Sequence, residues 1–318
     1  MRVVLMVVYD GFALLDLAGP ADVFGGAAAL VGADGYRVEV AAVRPGPVRA
    51  SSGVTVTADH ALADWSEQID TLLVAGGLGS WNASADAELI AGIAHAAGYA
   101  ERITSVCSGA FPLARTGLLD GRRVTTHWAA GELLGREFPA VTTEPDLIYV
   151  RDGPIWTSAG VTAGIDLALA IVSADHGPEV AREVARWLVV YLHRPGGQSQ
   201  FSTPMAADPP KRNSLRLLQV WLEENLESDL SLPALAERAG MSTRHFSRVF
   251  AVETGTTPAR YVEQVRIGAA RRLLENTDQP MDRVAAAVGL GSPETLYRIF
   301  HRHLGIPPGE YRARFTRV

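Results

Sequence analysis

The chain has 318 residues, 47% of them apolar and 20% charged, which excludes a disordered polymer and exceeds one ordinary domain of roughly 100–200 residues. Residues 1–210 carry 13 Lys/Arg against 23 Asp/Glu, net −10, and residues 211–318 carry 16 against 12, net +4; the front is a poor nucleic-acid surface and the back a suitable one. The single cysteine, Cys107, excludes an intrachain disulfide and fits a reducing compartment.

Val3–Tyr9 (VVLMVVY) is a short β-rich run that meets Asp10 at once, too short for a signal peptide. LLDLAGPADVFGGAAAL follows with helical character. Tyr36–Val43, Thr71–Gly77 (TLLVAGG) and Ile103–Cys107 (ITSVC) read as further strands. A helix through ELIAGIAHAA separates the last two, and another runs from Cys107 to Ala114. RVTTHW and two long helical segments, Thr162–Asp175 and Pro178–His193, close this half. Continuous apolar strands alternating with helices predict an α/β domain, its parallel sheet covered on both faces. The stretch TAGIDLALAIV is interrupted by Asp166 and is far below membrane-spanning length. A soluble cytoplasmic protein with no membrane partner is expected.

His193–Asn213 is rich in Pro, Gly and Ser without a sustained period. It places a linker at 196–212, between a domain over 1–195 and another over 213–318. The second domain reads as all helix. Leu215, Leu218, Leu222 and Leu226 form one apolar stripe, and Ser231 is the expected N-cap of the next helix, with Pro233 in its first turn.

A repeat then dominates. Phe246, Arg248, Phe250, Gly255, Pro258 and Tyr261 recur 50 positions later as Leu296, Arg298, Phe300, Gly305, Pro308 and Tyr311, the mark of a duplicated supersecondary unit. Each copy reads as apolar helix, Gly-containing turn and Ser-started helix, which is a helix-turn-helix. In the first, Ser242 caps, Phe246, Val249 and Phe250 face the core, and Arg244, Ser247 and Arg248 turn outward. In the second, Ser292 caps, Leu296, Ile299 and Phe300 face in, and Glu294, Thr295, Tyr297 and Arg298 turn outward. These outward types meet base edges and phosphates. Ala259–Glu275 reads as one connecting helix; seventeen residues at ~1.5 Å rise span ~25 Å, suited to setting two recognition helices roughly 34 Å apart along a duplex. The alternative is a helical bundle with solvated arginines.

In the front half, Cys107 sits where strand meets helix, with Gly109 just after. The helix N-terminus there is expected to stabilise a thiolate, in the geometry of a nucleophile elbow. Gly76 and Gly77 are expected to offer backbone N–H groups to an oxyanion. A small buried core cysteine is the alternative.

Residues 213–318, and the closing segments GTTPARY and GIPPGEY above all, resemble the AraC/XylS family of transcription regulators. One departure from that pattern is Gly291–Ser292, in the segment LGSPETLYRIF, where family members often carry an aromatic at the Leu290 position. Residues 1–195, through LLDLAGPADVF, VAGG, SVCSGAFPLARTGLLDGRRVTTHW and GVTAGIDLALAIV, resemble the PfpI-like branch of the class I glutamine amidotransferase-like superfamily. The whole resembles the GlxA-type regulators, which fuse the two. The resemblance implies a flavodoxin-like first domain and a homodimer. It also implies a candidate catalytic or vestigial set of Asp16, Cys107 and Ser108, matching the Asp, Cys and Thr of isonitrile hydratases. PfpI-type peptidases place a His directly after the Cys; Ser108 stands there, which argues against peptidase activity. His127 falls where relatives place a His near the pocket, and with Gly76 and Gly77 forms the expected ligand-binding set. Asp16 as a helix N-cap and His127 as a strand-end polar residue are the alternatives. Three functions follow: a regulator of double-stranded DNA controlled by a small-molecule effector, a hydratase- or amidase-like enzyme fused to a regulator, and a thiol redox sensor. No cofactor or metal is expected, and RNA polymerase stands as a further partner of the first.

Overall fold

The apolar run that opens the chain becomes the middle of a sheet. In a computed structural model that describes residues 1–190, 197–198 and 213–315, the chain divides into two compact units, Met1–Arg194 and Pro195–Val318. The linker expected at 196–212 lies outside the described residues except for Gly197 and Gln198.

The first unit runs β1 (Arg2–Val7), α1 (Leu14–Val31), β2 (Tyr36–Ala42), β3 (Gly46–Arg49), β4 (Thr55–Ala58), β5 (His60–Ala61), β6 (Ile69–Val74), α2 (Ser80–Ala85), α3 (Ala87–Ala97) and β7 (Ala100–Val106). It continues with α4 (Ala110–Arg115), β8 (Arg123–Val124), α5 (Gly131–Glu137), β9 (Thr142–Thr143), β10 (Tyr149–Asp152), β11 (Ile155–Ser158), α6 (Ala163–His176) and α7 (Pro178–Trp187). Seven strands lie in the order β10-β11-β7-β6-β1-β2-β5. All neighbours are parallel except the β10–β11 hairpin at one edge. Val4 to Val8 have no exposed surface, because a central parallel strand is covered on both faces and cannot alternate. This is the flavodoxin-like α/β architecture expected.

The segment Leu14–Asp34 is long and apolar enough to cross a membrane. It is α1 and the turn after it, with Leu17, Val23, Phe24 and Ala27 in the sheet core. The helix expected over Pro178–His193 ends early, at Trp187. Val189, at φ +57°, takes a left-handed conformation that a β-branched residue rarely adopts and that a helix cannot contain. Residues 191–193 lie outside the described residues.

The second unit is all helix: α8 (Asn213–Glu224), α9 (Leu232–Arg238), α10 (Thr243–Thr254), α11 (Pro258–Asn276), α12 (Met281–Ala287), α13 (Pro293–Leu304) and α14 (Pro308–Phe315). It has two cores. Leu215, Leu218, Leu222, Leu235, Phe246 and Phe250 form one with Val262. Ile267, Leu274, Val284, Leu296, Phe300 and Tyr311 form the other. The 19-residue α11, about 28 Å long, contributes its first half to one core and its second half to the other. Leu226 leaves the predicted stripe: it lies past the end of α8 and packs into the second core.

Candidate nucleic-acid interface and cysteine elbow

The two helix-turn-helix copies match in detail. The Ser242 hydroxyl accepts from His245 N at 3.4 Å, and that of Ser292 from Thr295 N at 3.2 Å. Gly255 and Gly305 close the recognition helices at φ +70° each. Phe250 meets Tyr261 edge-on at 5.3 Å, and Phe300 meets Tyr311 at 5.2 Å. One difference lies in the turns. Met241 N donates to Ala236 O, and Leu290 N to Ala285 O, an offset of 49 rather than 50, so Gly291 is an inserted residue in the second turn. Ser231 precedes α9 at the N-cap, but its side chain makes no capping bond.

Burying Phe246, Val249 and Phe250 on α10, and Leu296, Ile299 and Phe300 on α13, forces the opposite faces outward. Arg244, Arg248, Glu294, Tyr297 and Arg298 are exposed; Ser247 and Thr295 are half-buried. The polar groups differ in how free they are. Ser247 donates back to Thr243 O at 2.9 Å, Thr295 Oγ1 accepts from Ser292 Oγ at 3.2 Å, and the Arg248 guanidinium rests on His245 at 3.4 Å. The Glu294 carboxyl is held below its ordinary pKa by hydrogen bonds from its own N–H and the Ser292 hydroxyl. Arg244 and Arg298 carry no carboxylate partner among the described residues. Glu263 on α11 takes Arg302 at 2.7 Å on both carboxylate oxygens and His303 at 3.2 Å. That network pins the end of α13 to the connecting helix.

In the first unit, β7 runs into Cys107 at φ +58°, a conformation costing a non-glycine residue about 1–3 kcal/mol. Two glycines make room for it. A Cβ on Gly160 would lie 2.6 Å from Cys107 Cβ and 2.7 Å from Sγ; one on Gly76 would lie 2.6 Å from Ser108 N. Asp16, with no exposed surface, sits in the first turn of α1. Its carboxylate accepts from Gly76 N and from Val161 N, each at 3.0 Å. It therefore ties α1 to the loops after β6 and β11 and is not the N-cap, which is Ala13. Val161 is itself left-handed, at φ +52°. The Ser108 hydroxyl donates to Gly77 O at 3.1 Å and accepts from Gly77 N at 3.0 Å.

The structure thus gathers Asp16, Gly76, Gly77, Cys107 and Ser108, and corrects two expectations about them. The N–H groups of Gly76 and Gly77 are taken by Asp16 and Ser108 and do not form an oxyanion site. The expected helix-stabilised thiolate meets an opposing environment. Burial first, and then the Asp16 charge, push Cys107 up to about 12, against hydrogen bonds from Ser108 and Val161. A six-residue α4 entered through a single turn of 3₁₀ helix has too little dipole to offset that. Burial likewise pushes Asp16 up to about 7, against its two N–H bonds.

His127 stands apart. Its neighbour Thr126 donates to Cys107 O at 2.6 Å, while the half-buried His127 accepts at Nδ1 from Ala129 N at 3.3 Å. Burial lowers its pKa. Gly160, Val161 and Thr126 were not anticipated as elbow residues; the only sequence signal is the Gly160–Val161 pair inside GVTAGIDLALAIV. Among the described residues no group of three His, Cys, Asp or Glu is placed to hold a metal.

The DJ-1/PfpI family model matches residues 1–174, and a helix-turn-helix domain model matches residues 235–314. The chain belongs to the DJ-1/PfpI family. The regulator CdhR of Pseudomonas aeruginosa is 33% identical over 283 residues, covering 88% of this chain and 83% of that one. The regulator GlxA of Rhizobium meliloti is 31% identical, covering 95% and 93%. Both are HTH-type transcriptional regulators, and with the paired recognition helices they make this chain a DNA-binding regulator of the AraC type, fused to a DJ-1/PfpI domain. The isonitrile hydratase of Pseudomonas putida is 35% identical over 172 residues, covering 54% of this chain and 70% of the enzyme. Among solved structures, a ThiJ/PfpI family protein from Pseudomonas syringae superposes with a TM-score of 0.54 at 27% identity, covering 75% of this chain and 88% of that one.

Proposed function

We propose that this regulator acts in the cytoplasm as a homodimer, reads its operator through the outer faces of α10 and α13, and is controlled by a small molecule bound in the first unit. The exposed arginines Arg244 and Arg298, on matched helices and without acidic partners among the described residues, carry this reading. Guanidinium groups so presented suit guanine edges and phosphates, and Glu294 suits cytosine. Effector control requires only that the ligand bind two states of the protein with different affinity. RNA polymerase is the further partner of such a regulator. Selection of bound duplexes from a random pool, with and without metabolites, tests the reading; a pool that never converges on a sequence contradicts it.

The gathering of Asp16, Cys107 and Ser108 in one place favours a second reading, a residual hydratase-like activity. The closed N–H groups and the raised thiol pKa weigh against it, and against a peroxide sensor, since both need thiolate. Isonitrile or amide turnover by the full chain that disappears in Cys107→Ser would establish that second reading.

A further inference from the structure

The two helix-turn-helix copies share α11, and the chain between α8 and α9 supplies a second link. Leu222 and Leu230 lie in the first core, while Leu226 between them lies in the second. The chain therefore leaves one core at the end of α8, reaches into the other and returns before α9. The Leu226 carbonyl meets two partners there. It accepts from Arg266 Nη2 at 3.0 Å, and Gly289, in the turn between α12 and α13, packs directly against it. A Cβ on Gly289 would collide with the Leu226 carbonyl oxygen and lie 2.8 Å from Arg266 Nη2. Gly240, its counterpart in the first copy, has the same backbone, φ +68° in both, but open space at its Cβ position. The left-handed turn thus belongs to both copies, and the close contact to the second alone.

Arg266 stands where α11 passes from one core to the other, between Val262 in the first and Ile267 in the second. It is half-buried, has no carboxylate partner among the described residues, and its Nε is buried without a hydrogen-bond partner. Burying a guanidinium for one carbonyl contributes little net stability, and an apolar side chain of similar volume would fill the space as well. What the guanidinium adds is direction, because only a donor holds the Leu226 carbonyl in one place. A lone connecting helix sets the separation of two bodies but can bend. An attachment away from its axis, at its midpoint, resists that bending.

We propose that Leu226, Arg266 and Gly289 form a clasp that fixes the angle between α10 and α13, with Arg266 a positioning residue that makes the protein strict about the spacing of the two base-pair groups it reads. This rests on the reading of DNA by both helices given above. One base pair shifts a half-site by about 3.4 Å and turns it by about 35°, which a clasped pair cannot follow and a hinged pair can. The test uses the full chain, a duplex it selects, and the same duplex with one base pair added or removed between the groups sensitive to Arg244→Ala and to Arg298→Ala. The parent is expected to bind the altered duplexes at least about tenfold more weakly. In Arg266→Met, which keeps an apolar stem, that penalty is expected to fall below about threefold with single-base discrimination unchanged, and Arg266→Lys is expected to restore it. An Arg266→Met chain with a lowered Tm but an intact spacing penalty overturns the proposal, as does a parent that tolerates both altered duplexes. Should Arg266→Met not fold, Gly289→Ala displaces the carbonyl with the guanidinium in place and is expected to show the same loss of penalty. Spin labels at Val252→Cys and His301→Cys, both exposed, report the α10–α13 distance without DNA. A narrow distribution in the parent that broadens in Arg266→Met is expected; equal widths overturn the clasp. If neither Arg244→Ala nor Arg298→Ala weakens the selected duplex, the reading of DNA has failed, and the label distances alone decide the clasp.

Discussion

The Cys107 elbow and the outer faces of α10 and α13 treat their polar groups in opposite ways. At the elbow the backbone is strained, with Cys107 and Val161 both left-handed, and the polar atoms that define it are bonded to one another: Asp16 to Gly76 and Val161, Ser108 to Gly77, Thr126 to the Cys107 carbonyl. On the recognition helices the backbone is relaxed and capped, and the longest side chains extend into solvent. An organised turn is therefore not the same as a reactive one. The elbow retains the shape of a nucleophile turn with its donors engaged. The recognition helices are ordinary helices, and the proposed reading of DNA rests on the groups left without an acidic partner among the described residues.

The comparison can be sharpened first on the inner side of the recognition helices. Phe300→Ala removes a fully buried ring from the second helical core and is expected to cost about 3–5 kcal/mol, read by urea denaturation. A loss under about 1 kcal/mol would mean that α13 does not depend on that core.

Next comes the pH dependence of the elbow. Asp16 moves from an ordinary 3.8 to about 7 on folding, so the folded state holds the proton more tightly. The stability this group contributes is full below about pH 4, is lost as the pH rises toward about 7, and is level above that. At about 1.4 kcal/mol per pH unit the whole change is about 4 kcal/mol. In Asp16→Asn this part of the pH slope is expected to vanish. The variant is also expected to be the less stable at low pH, because its amide sets an N–H against the N–H of Gly76 or Val161. Urea midpoints of parent and variant across this pH range check it; parallel profiles would show that Asp16 is already charged in the folded state.

Gly160→Ala is expected to cost roughly 2–4 kcal/mol, combining left-handed strain with the collision against Cys107. Thermal unfolding measures it. An unchanged Tm would show that the elbow is looser than its contacts imply.

Much of this was legible in the sequence. The parallel sheet followed from unbroken apolar runs such as Val3–Val8, and the two recognition helices from matched Ser caps and the matched outward arginines Arg248 and Arg298. What escaped notice depended on long-range pairing or on unusual backbone. The VAGG segment reads as a set of free N–H groups until Asp16, 60 residues away, and Ser108, 31 residues away, are seen to take them. Left-handed valines at 161 and 189 leave no compositional trace. Leu226 keeps helical spacing although α8 has already ended, because periodicity does not report which core a side chain enters. Gly291–Ser292 stood out as a departure but not as an insertion, because the later offsets are all 50. The β10–β11 hairpin did carry a signal, the Asp152–Gly153 pair with Gly153 at φ +60°, of the kind that marks tight turns between strands.

The smallest expected change in stability accompanies the most direct test. Arg244→Ala and Arg298→Ala should each alter stability by less than about 0.5 kcal/mol, because both side chains are exposed and neither has a carboxylate partner among the described residues. Each should weaken binding to a duplex selected by the full chain by about 1–3 kcal/mol if it reads a base, with the loss confined to the base pairs it contacts. Affinities of both variants for the selected duplex and for its single-base variants decide the matter. Weakened binding with relaxed specificity at separate positions is the predicted result, and undiminished binding by both variants would contradict the account.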